Sequence, residues 1–286
     1  MILVKHKADL LKHLDHTRSS GCSVGFVPTM GALHSGHISL IEQSRIYNDF
    51  TVCSIFVNPT QFDNPADLLK YPVTLEDDIN KLEKSGCDLL FFPGNEEMYL
   101  PDEIPVQYDL GYLENILEGK YRPGHFQGVC RIVDKLLTAV MPDSMYLGRK
   151  DYQQCLVIKK MMVLKGYETK LQICETIREE DGLAMSSRNL RLKPAERQTA
   201  VKIIESLMMI KKCMQPGDLS EIKTKASAFL ESFGYKVDYT EIADAETLEI
   251  QHTWDGKKKT VAVAAAYLNG IRLIDNILLQ VQDENE

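Results

Sequence analysis

The chain has 286 residues, of which 44% are hydrophobic and 26% charged, and its formal net charge is −8. This length allows one large or two medium domains with a substantial core, and the composition is ordinary for a globular protein in water. The negative charge disfavours non-specific binding to nucleic acid or to an acidic membrane surface. The N-terminal residues do not have the pattern of a signal peptide, and the longest apolar run is too short to span a bilayer. We therefore expect a cytoplasmic protein without nucleic-acid or membrane partners.

The seven cysteines, at positions 22, 53, 87, 130, 155, 174 and 213, are widely spaced and form no C-x-x-C pair. Most of them lie in apolar runs. This usage is typical of buried free thiols in a reducing compartment. It does not indicate a zinc site, and nothing in the sequence marks one of the cysteines as a nucleophile.

Strands and helices are predicted to alternate over the first two thirds of the chain. A first helix covers residues 1–20, and buried strands follow at 24–27, 51–57, 88–92, 144–147 and 169–174. The intervening helices are predicted at 37–49, 74–85, 111–118 and 128–140, with a last one ending at 165. Five buried strands separated by helices indicate an α/β fold with a doubly wound parallel sheet.

The pattern changes after about residue 189. Two helices, 194–214 and 218–233, precede strand-like runs at 236–242, 248–254 and 260–268 and a short return at 271–275. This indicates a smaller α+β domain with an antiparallel sheet. The predicted division is a first domain over 1–178, a hinge over 179–188 and a C-terminal domain over 189–286.

The segment PTMGALHSGH, residues 28–37, connects the strand at 24–27 to the following helix. Gly31 and Gly36 leave the backbone accessible, and the amide groups and dipole of a helix start attract an anion. His34 and His37 are three residues apart, so both can face one side and donate hydrogen bonds to phosphate oxygens. Two histidines at a helix start can equally be a cap and a surface residue, and the short motif alone does not decide.

Three more polar clusters follow predicted strands. They are NPTQF at 58–62, GRKDYQQ at 148–154 and REEDGLAMSSRN at 178–189. Ligands of doubly wound sheets bind outside the carboxyl ends of the strands, and all four clusters fall there. Their combination therefore predicts a binding site at this edge of the sheet.

The side chains in these clusters suit a nucleotide. Ser186, Ser187 and Arg188 can bind phosphate oxygens, although a polar hinge that caps the next helix has the same composition. Lys150 can neutralise a phosphate during transfer, and Asp151 can receive a ribose hydroxyl or hydrated Mg²⁺. The alternative for these two residues is a surface ion pair, which would contribute little.

Four further polar residues have weaker signals. Gln61 and Gln154 can hold a small polar molecule without adding charge, but exposed loop glutamines are common. Asp77 and Asp78 are interpreted as charges at a helix N-terminus, with a metal role as the minority alternative.

Seven blocks of the sequence, in order from about residue 24 to 276, together resemble the pantothenate synthetase (pantoate–β-alanine ligase) family. They are FVPTMGALHSGH, SIFVNPTQF, KSGCDLLFFP, RPGHFQGV, YLGRKDYQQ, DGLAMSSRN and GIRLIDN. Single motifs are shared with other nucleotidyltransferases of the HIGH superfamily, in which HSGH is similar to the HIGH signature and AMSSR to KMSKS. Leu147 and Cys130 stand where the family usually has Phe and Thr, which we interpret as packing changes.

The resemblance implies a reaction. Pantoate and MgATP form pantoyl adenylate and pyrophosphate, and β-alanine then attacks the adenylate to give pantothenate and AMP. It also implies a homodimer whose Rossmann-like N-terminal domain binds ATP and pantoate and whose smaller C-terminal domain acts as a lid. The alternatives are another HIGH-superfamily nucleotidyltransferase and a non-catalytic nucleotide- or RNA-binding module.

The resemblance also implies residue roles. His37, His34 and Lys150 would be catalytic, with His37 the candidate acid, while Gln61 and Gln154 would bind pantoate, with Gln61 also near β-alanine. The ligands of the metal stay open. The implied ATP-binding residues are Met30, Gly31, Ala32, Leu33, His34, Ser35, Gly36, His37, Gly148, Arg149, Lys150, Asp151, Ile177, Met185, Ser186, Ser187 and Arg188.

Overall fold

The computed structural model describes residues 1–279, so the end of the predicted C-terminal domain, 280–286, lies outside the described residues. The chain forms two compact units. The first comprises Met1–Arg149 and Val157–Ile177, and the second comprises Lys150–Leu156 and the described residues from Arg178 to Leu279. The short segment Lys150–Leu156 thus belongs to the second unit, although it closely follows a strand of the first.

The first unit is built on a six-stranded parallel sheet with the strand order β1-β4-β3-β2-β5-β6. From β2 in the middle, the chain adds β3 and β4 on one side and then β5 and β6 on the other. This order confirms the predicted doubly wound α/β sheet. The strands are β1 (Ile2–Val4), β2 (Val24–Thr29), β3 (Phe50–Ile55), β4 (Leu89–Phe91), β5 (Ser144–Gly148) and β6 (Lys170–Cys174).

Strand β1 corrects the prediction of a helix from the first residue. Ile2–Val4 pairs in parallel with Leu89–Phe91 at the edge of the sheet, and the helix begins only at Lys7. Three consecutive apolar residues are too few to show the two-residue repeat of a strand beside the repeat of the following helix. The local sequence therefore could not separate this strand from the helix after it.

Helices of the first unit pack against this sheet. Apolar residues of α2 (Ser35–Tyr47) and α4 (Leu75–Ser85), among them Ile41 and Leu82, are buried with Val27 and Leu90 of the sheet. The helix predicted at 111–118 is wrong, because a 3₁₀ turn at Gly111–Glu114 precedes a separate short helix. The helices are α1 (Lys7–Ser19), α2 (Ser35–Tyr47), α3 (Pro65–Leu69), α4 (Leu75–Ser85), α5 (Asn95–Met98), α6 (Leu117–Tyr121), α7 (His125–Val140) and α8 (Tyr152–Lys165), the last of which begins in the second unit.

The second unit has its own core between helices and an antiparallel sheet of order β11-β10-β8. Small side chains at Ala262, Ala264 and Ala266 on β10 are buried in this core. The predicted α+β character is confirmed, with these elements: α9 (Pro194–Ala200), α10 (Lys202–Cys213), β7 (Gly217–Asp218), α11 (Ser220–Ser232), β8 (Lys236–Asp244), β9 (Thr253–Trp254), β10 (Thr260–Leu268) and β11 (Ile271–Leu279).

The strand predicted at 248–254 is mostly wrong. Within it, Ile250 forms an isolated antiparallel bridge with Ala243, and Thr253–Trp254 pairs with Gly217–Asp218. The Asp244 carboxylate accepts the N–H groups of Glu246 and Thr247, both at 2.8 Å, and Leu248 has a left-handed backbone with φ +60°. An aspartate-stabilised turn thus comes directly before this segment, and the predicted continuous strand is reduced to one bridge and a two-residue strand.

Candidate active site

The loop after β2 has an unusual backbone that brings it close to α4. Gly31 has φ +81°, and a Cβ built at this position would lie 3.2 Å from the Asp78 carboxylate and 3.1 Å from Ile55. The next residue, Ala32, has φ +49°, a conformation that costs free energy for a residue with a side chain. The loop therefore needs external support to keep this shape.

Asp78 supplies that support. Its Oδ2 accepts the Ala32 N–H at 2.8 Å, and its Oδ1 accepts the Leu33 N–H at 2.7 Å and the Thr74 hydroxyl at 3.1 Å. The side chain is buried, at 1% exposure, so both carboxylate oxygens are used inside the protein. On the other side of the loop, Lys81 donates to the Leu33 carbonyl at 2.7 Å. Asp78 thus does more than add a charge to a helix start, whereas its neighbour Asp77 is exposed.

His34 and His37 lie against each other at the start of α2. His34 occupies the N-cap position, and the two ring centroids are 4.0 Å apart. The Nδ1 atom of His37 accepts the backbone N–H of His34 at 3.4 Å, which leaves the proton of the neutral ring on Nε2. Nε2 of His37 is therefore a donor at a helix N-terminus, where an anion is stabilised.

Gln61 lies in a 3₁₀ turn, Pro59–Gln61. The orientation of its side-chain amide is fixed by Asn58. The Nδ2 atom of Asn58 donates to Gln61 Oε1 at 2.9 Å, while its Oδ1 accepts from Thr60 and from the Tyr99 hydroxyl. The amide nitrogen of Gln61 is consequently the end directed to the loop after β2, where it lies 3.2 Å from Met30 Sδ. Because a thioether is a weak acceptor, this N–H group suits an oxygen of a ligand.

A buried histidine holds the main chain of Gln61. Nε2 of His125 lies 3.1 Å from an Arg122 nitrogen that can only donate, so Nδ1 carries the proton and donates to the Gln61 carbonyl at 2.7 Å. Burial, with the nearby Arg122 charge, lowers the pKa of His125 from 6.5 to about 4. The same helix approaches closely at Gly128, where a Cβ would lie 2.2 Å from the Thr60 carbonyl.

In the second unit, Lys150 is fixed through its main chain. Its carbonyl accepts a hydrogen bond from Asn276 Nδ2 at 2.8 Å, and its ammonium lies 3.7 Å from Asp151 Oδ1. Lys150 is only 17% exposed along its side chain, compared with 46% for Asp151. Gln154 is half-buried on the first turn of α8.

The serine–arginine segment begins a 3₁₀ turn at Ser187–Arg191. Ser186 is its N-cap, and the Ser186 hydroxyl oxygen accepts the Arg188 N–H at 3.3 Å. Ser187 is buried, whereas Met185, Ser186 and Arg188 are half-buried. Ser186 therefore caps this 3₁₀ turn and not the next α-helix, which begins at Pro194. The Ser186 hydroxyl proton can still be donated to another group.

The predicted site residues are distributed over both units. Within the first unit, the Gln61 amide nitrogen contacts the loop after β2 at Met30. Arg149 instead forms an ion pair with Glu175, with a nitrogen–oxygen distance of 2.8 Å. The first unit carries Met30, Gly31, Ala32, Leu33, His34, Ser35, Gly36, His37, Gln61, Gly148, Arg149 and Ile177, and the second carries Lys150, Asp151, Gln154, Met185, Ser186, Ser187 and Arg188.

Sequence reasoning did not find the residues that support this site. Asn58 and His125 lie in motifs that were noticed only as whole blocks, and Asp78 was interpreted as a helix charge. For Asn58, the sequence offered one signal of a functional role, namely a polar residue directly after the apolar run 51–57. No local pattern shows that a carboxylate on one helix will receive the amides of a loop 45 residues away.

A doubly wound sheet whose central strand leads through a glycine turn into a helix N-terminus with paired histidines is the arrangement of a nucleotide-binding protein. The sequence profile of the family "Pantoate-beta-alanine ligase" matches residues 2–278. The chain belongs to this pantoate–β-alanine ligase family.

Individual relatives agree with the assignment. The chain is 42% identical to the pantothenate synthetase of Cytophaga hutchinsonii over 98% of its own length and 99% of the relative, and 42% identical to that of Bacteroides thetaiotaomicron over 94% and 95%. The crystal structure of the Thermus thermophilus pantothenate synthetase aligns with a TM-score of 0.89 at 40% identity, covering 97% and 99% of the two chains.

The Francisella tularensis pantoate–β-alanine ligase, complexed with "Beta-gamma ATP" and β-alanine, aligns with a TM-score of 0.80 at 38% identity over 98% of each chain.

Two further observations concern membrane spans and metal sites in this chain. No helix within residues 1–279 is long and apolar enough to cross a membrane. The same residues contain no group of three or more His, Cys, Asp or Glu side chains placed to hold a metal ion.

Proposed function

We infer that this chain catalyses the ATP-dependent condensation of pantoate with β-alanine to pantothenate. Family membership over nearly the whole chain, together with a solved relative that holds an ATP ligand and β-alanine, carries this conclusion. The paired histidines at the start of α2 supply the chemistry that the first step requires.

In the first step a carboxylate oxygen of pantoate attacks the α-phosphorus of ATP. A new P–O bond forms, the bond to the β-phosphate oxygen breaks, and pyrophosphate leaves with the electron pair. We propose that His34 and His37 donate hydrogen bonds to the phosphates and that the Lys150 ammonium stabilises the charge that develops during transfer. The family resemblance also makes His37 the candidate acid, a role that requires the doubly protonated ring; the neutral ring, with Nδ1 accepting the His34 N–H, donates a hydrogen bond from Nε2.

In the second step the β-alanine amine attacks the carbonyl carbon of pantoyl adenylate. The C–N bond forms, the C–O bond to the phosphate breaks, and AMP leaves with the oxygen that came from pantoate. The proton lost by the amine is released to water. No covalent bond to the enzyme is needed. The task of the protein is to orient the reactants, stabilise charge and keep water from the adenylate.

We propose that Gln61 and Gln154 bind pantoate. The amide nitrogen of Gln61 is the end not used by Asn58, so it can donate to a carboxylate or hydroxyl oxygen. We propose that ATP is bound by Met30, Gly31, Ala32, Leu33, His34, Ser35, Gly36, His37, Gly148, Arg149, Lys150, Asp151, Ile177, Met185, Ser186, Ser187 and Arg188.

Four finer points belong to the same proposal. ATP enters as MgATP. Both oxygens of the buried Asp78 carboxylate already accept protein hydrogen bonds, which disfavours the metal role considered for that residue. The active form is a homodimer, the C-terminal unit serves as a lid hinged near 179–188, and the protein works in the cytoplasm. The free state of all seven cysteines fits a reducing compartment.

A coupled assay in which pantoate, β-alanine or MgATP is omitted in turn tests the function. Pyrophosphate release should require pantoate but not β-alanine, whereas AMP release should require all three. AMP release without β-alanine would indicate a different nucleotidyltransferase. Absence of pantoate-dependent pyrophosphate release would contradict the ligase function.

A further inference from the structure

Two adjacent polar residues, Asp275 and Asn276, lie buried in the middle of β11. They are 2% and 4% exposed, and the residues on both sides of them in the strand are Ile274 and Ile277. Burying a carboxylate and an amide is unfavourable unless each finds hydrogen-bond partners. Their partners therefore show what the pair does.

Asp275 binds the segment that leads to the serine–arginine turn. Its two oxygens accept both terminal nitrogens of Arg178, at 2.7 and 3.0 Å, and Oδ1 also accepts the Asn276 N–H at 2.8 Å. Arg178 donates in addition to the Gly182 carbonyl at 3.0 Å, which closes the turn that begins at Arg178. The bidentate geometry fixes the direction of the guanidinium as well as its distance.

Asn276 binds a different segment. Its Nδ2 donates to the Lys150 carbonyl at 2.8 Å, and its own carbonyl accepts from Arg178 at 3.2 Å. The turn Ser187–Arg191 also packs against β11. One strand thus contacts Lys150, the turn after Arg178 and the turn that follows Ser186.

Stability alone does not account for this pair. A buried ion pair is often replaced by apolar side chains of similar size at no cost, or with a gain, in the free energy of unfolding. What apolar residues could not reproduce is the pair of directed hydrogen bonds to two separate segments. Both segments carry residues to which the proposed reaction assigns phosphate contacts.

We propose that Asp275 and Asn276 are positioning residues that hold, from one strand, the two segments carrying Lys150 and Ser186–Arg188. The inference rests on the proposed function. Asn276 fixes the peptide of Lys150, so that the lysine side chain starts from a set position when the triphosphate binds. The Lys150 side chain then loses less conformational entropy in the adenylation step.

The test uses Asn276→Asp in the full-length protein, because this change keeps the shape but directs a carboxylate oxygen at the Lys150 carbonyl. The control Asn80→Asp makes the same chemical change at an exposed position of α4. The rate of pantoate-dependent pyrophosphate release should fall at least about tenfold in Asn276→Asp, with the KM for pantoate changed less than about twofold. The control should match the wild type.

A double-mutant cycle with Lys150→Ala separates positioning from general damage. If Asn276 acts through Lys150, Asn276→Asp should cause no further loss of turnover in the Lys150→Ala background. The same fractional loss in both backgrounds, or near-normal turnover of Asn276→Asp alone, would overturn the inference. Near-normal turnover of Lys150→Ala would overturn it too, since Asn276 would then have no catalytic lysine to position.

Folding is checked by the thermal unfolding transition of each variant. If Asn276→Asp lacks a cooperative transition, Asn276→Ser, which keeps a donor on a smaller side chain, enters the same cycle, and additive losses there overturn the inference. A wild type that releases no pyrophosphate in the presence of pantoate and MgATP contradicts the proposed function itself. Failure of the proposed function is therefore seen with the wild type alone, before the variants test the positioning role of Asn276.

Discussion

The carboxylate of Asp78 lies 2.8 Å from the backbone nitrogen of Ala32, at the point where that backbone is left-handed. The other carboxylate oxygen takes the next amide, that of Leu33, at 2.7 Å. A buried charge on α4 thus stabilises the shape of the loop that delivers His34 and His37. The shape of this loop is therefore set by a residue distant in sequence as much as by Gly31.

Asp78→Asn should destabilise the protein. The amide keeps one acceptor oxygen but directs an NH₂ group at a backbone N–H, so one charged hydrogen bond is lost inside the core. We expect a decrease of about 2 kcal/mol in the free energy of unfolding, measured by urea denaturation. Asp77→Asn, at the exposed neighbouring position, should cost less than about 1 kcal/mol. Equal effects of the two changes would contradict the role of Asp78.

His37→Ala should lower turnover by about 100-fold or more while leaving the melting temperature nearly unchanged. The variant loses the Nε2 donor, whereas the hydrogen bond accepted by Nδ1 is long, at 3.4 Å, and its removal should affect folding little. Pyrophosphate release at saturating ATP and pantoate measures the effect. His13→Ala, at an exposed position of α1, is the matched control. Turnover of His37→Ala within about threefold of the wild type would remove His37 from the mechanism.

Gln61→Glu should selectively weaken pantoate binding. The change replaces an amide donor by a carboxylate facing the carboxylate of the substrate, and like charges in a partly buried site repel. The KM for pantoate should rise at least about tenfold, with less than about a twofold change in the KM for ATP. Gln107→Glu, which is exposed, serves as the control for added charge. An equal rise in both KM values would show that Gln61 does not contact pantoate specifically.

His125 should make stability depend on pH between about 4 and 6.5, the folded and ordinary pKa values of this group. In this range the unfolded chain binds a proton that the folded protein does not, so stability falls as the pH falls below 6.5 and is fully present above it. The loss contributed by His125 should reach about 3 kcal/mol near pH 4.

His125→Asn keeps a donor near the Gln61 carbonyl but does not titrate, so it isolates this contribution. Its free energy of unfolding should decline less than that of the wild type as the pH is lowered through this range. Parallel curves for the two proteins would show that His125 is not held neutral in the folded state.

The sequence predicted the central strands well, because a parallel sheet buried on both faces requires continuous apolar runs such as 51–57. Strand β2 was predicted from the apolar run 24–27 and so to end before Pro28, a residue that cannot donate to a sheet. The structure extends the strand to Thr29, and the pairing with β5 covers only Gly25 and Phe26. The missing N–H of Pro28 therefore falls outside that ladder.

The supports of the candidate site could not be predicted in the same way. Its polar clusters were located because each follows a strand end. The bonds from Asp78 to Ala32, from His125 to Gln61 and from Asn276 to Lys150 join segments far apart in sequence. Such contacts depend on tertiary packing, which neither periodicity nor local composition records.

The most direct test of the central claim, acyl activation by adenylation, follows an oxygen atom. With pantoate labelled by oxygen-18 in its carboxylate, the wild-type enzyme, MgATP and β-alanine should yield AMP that carries one labelled oxygen, detected by mass spectrometry. The label passes to AMP because the carboxylate oxygen stays on phosphorus when the amine displaces it. Unlabelled AMP formed together with pantothenate would contradict a pantoyl-adenylate intermediate and the assignments that depend on it.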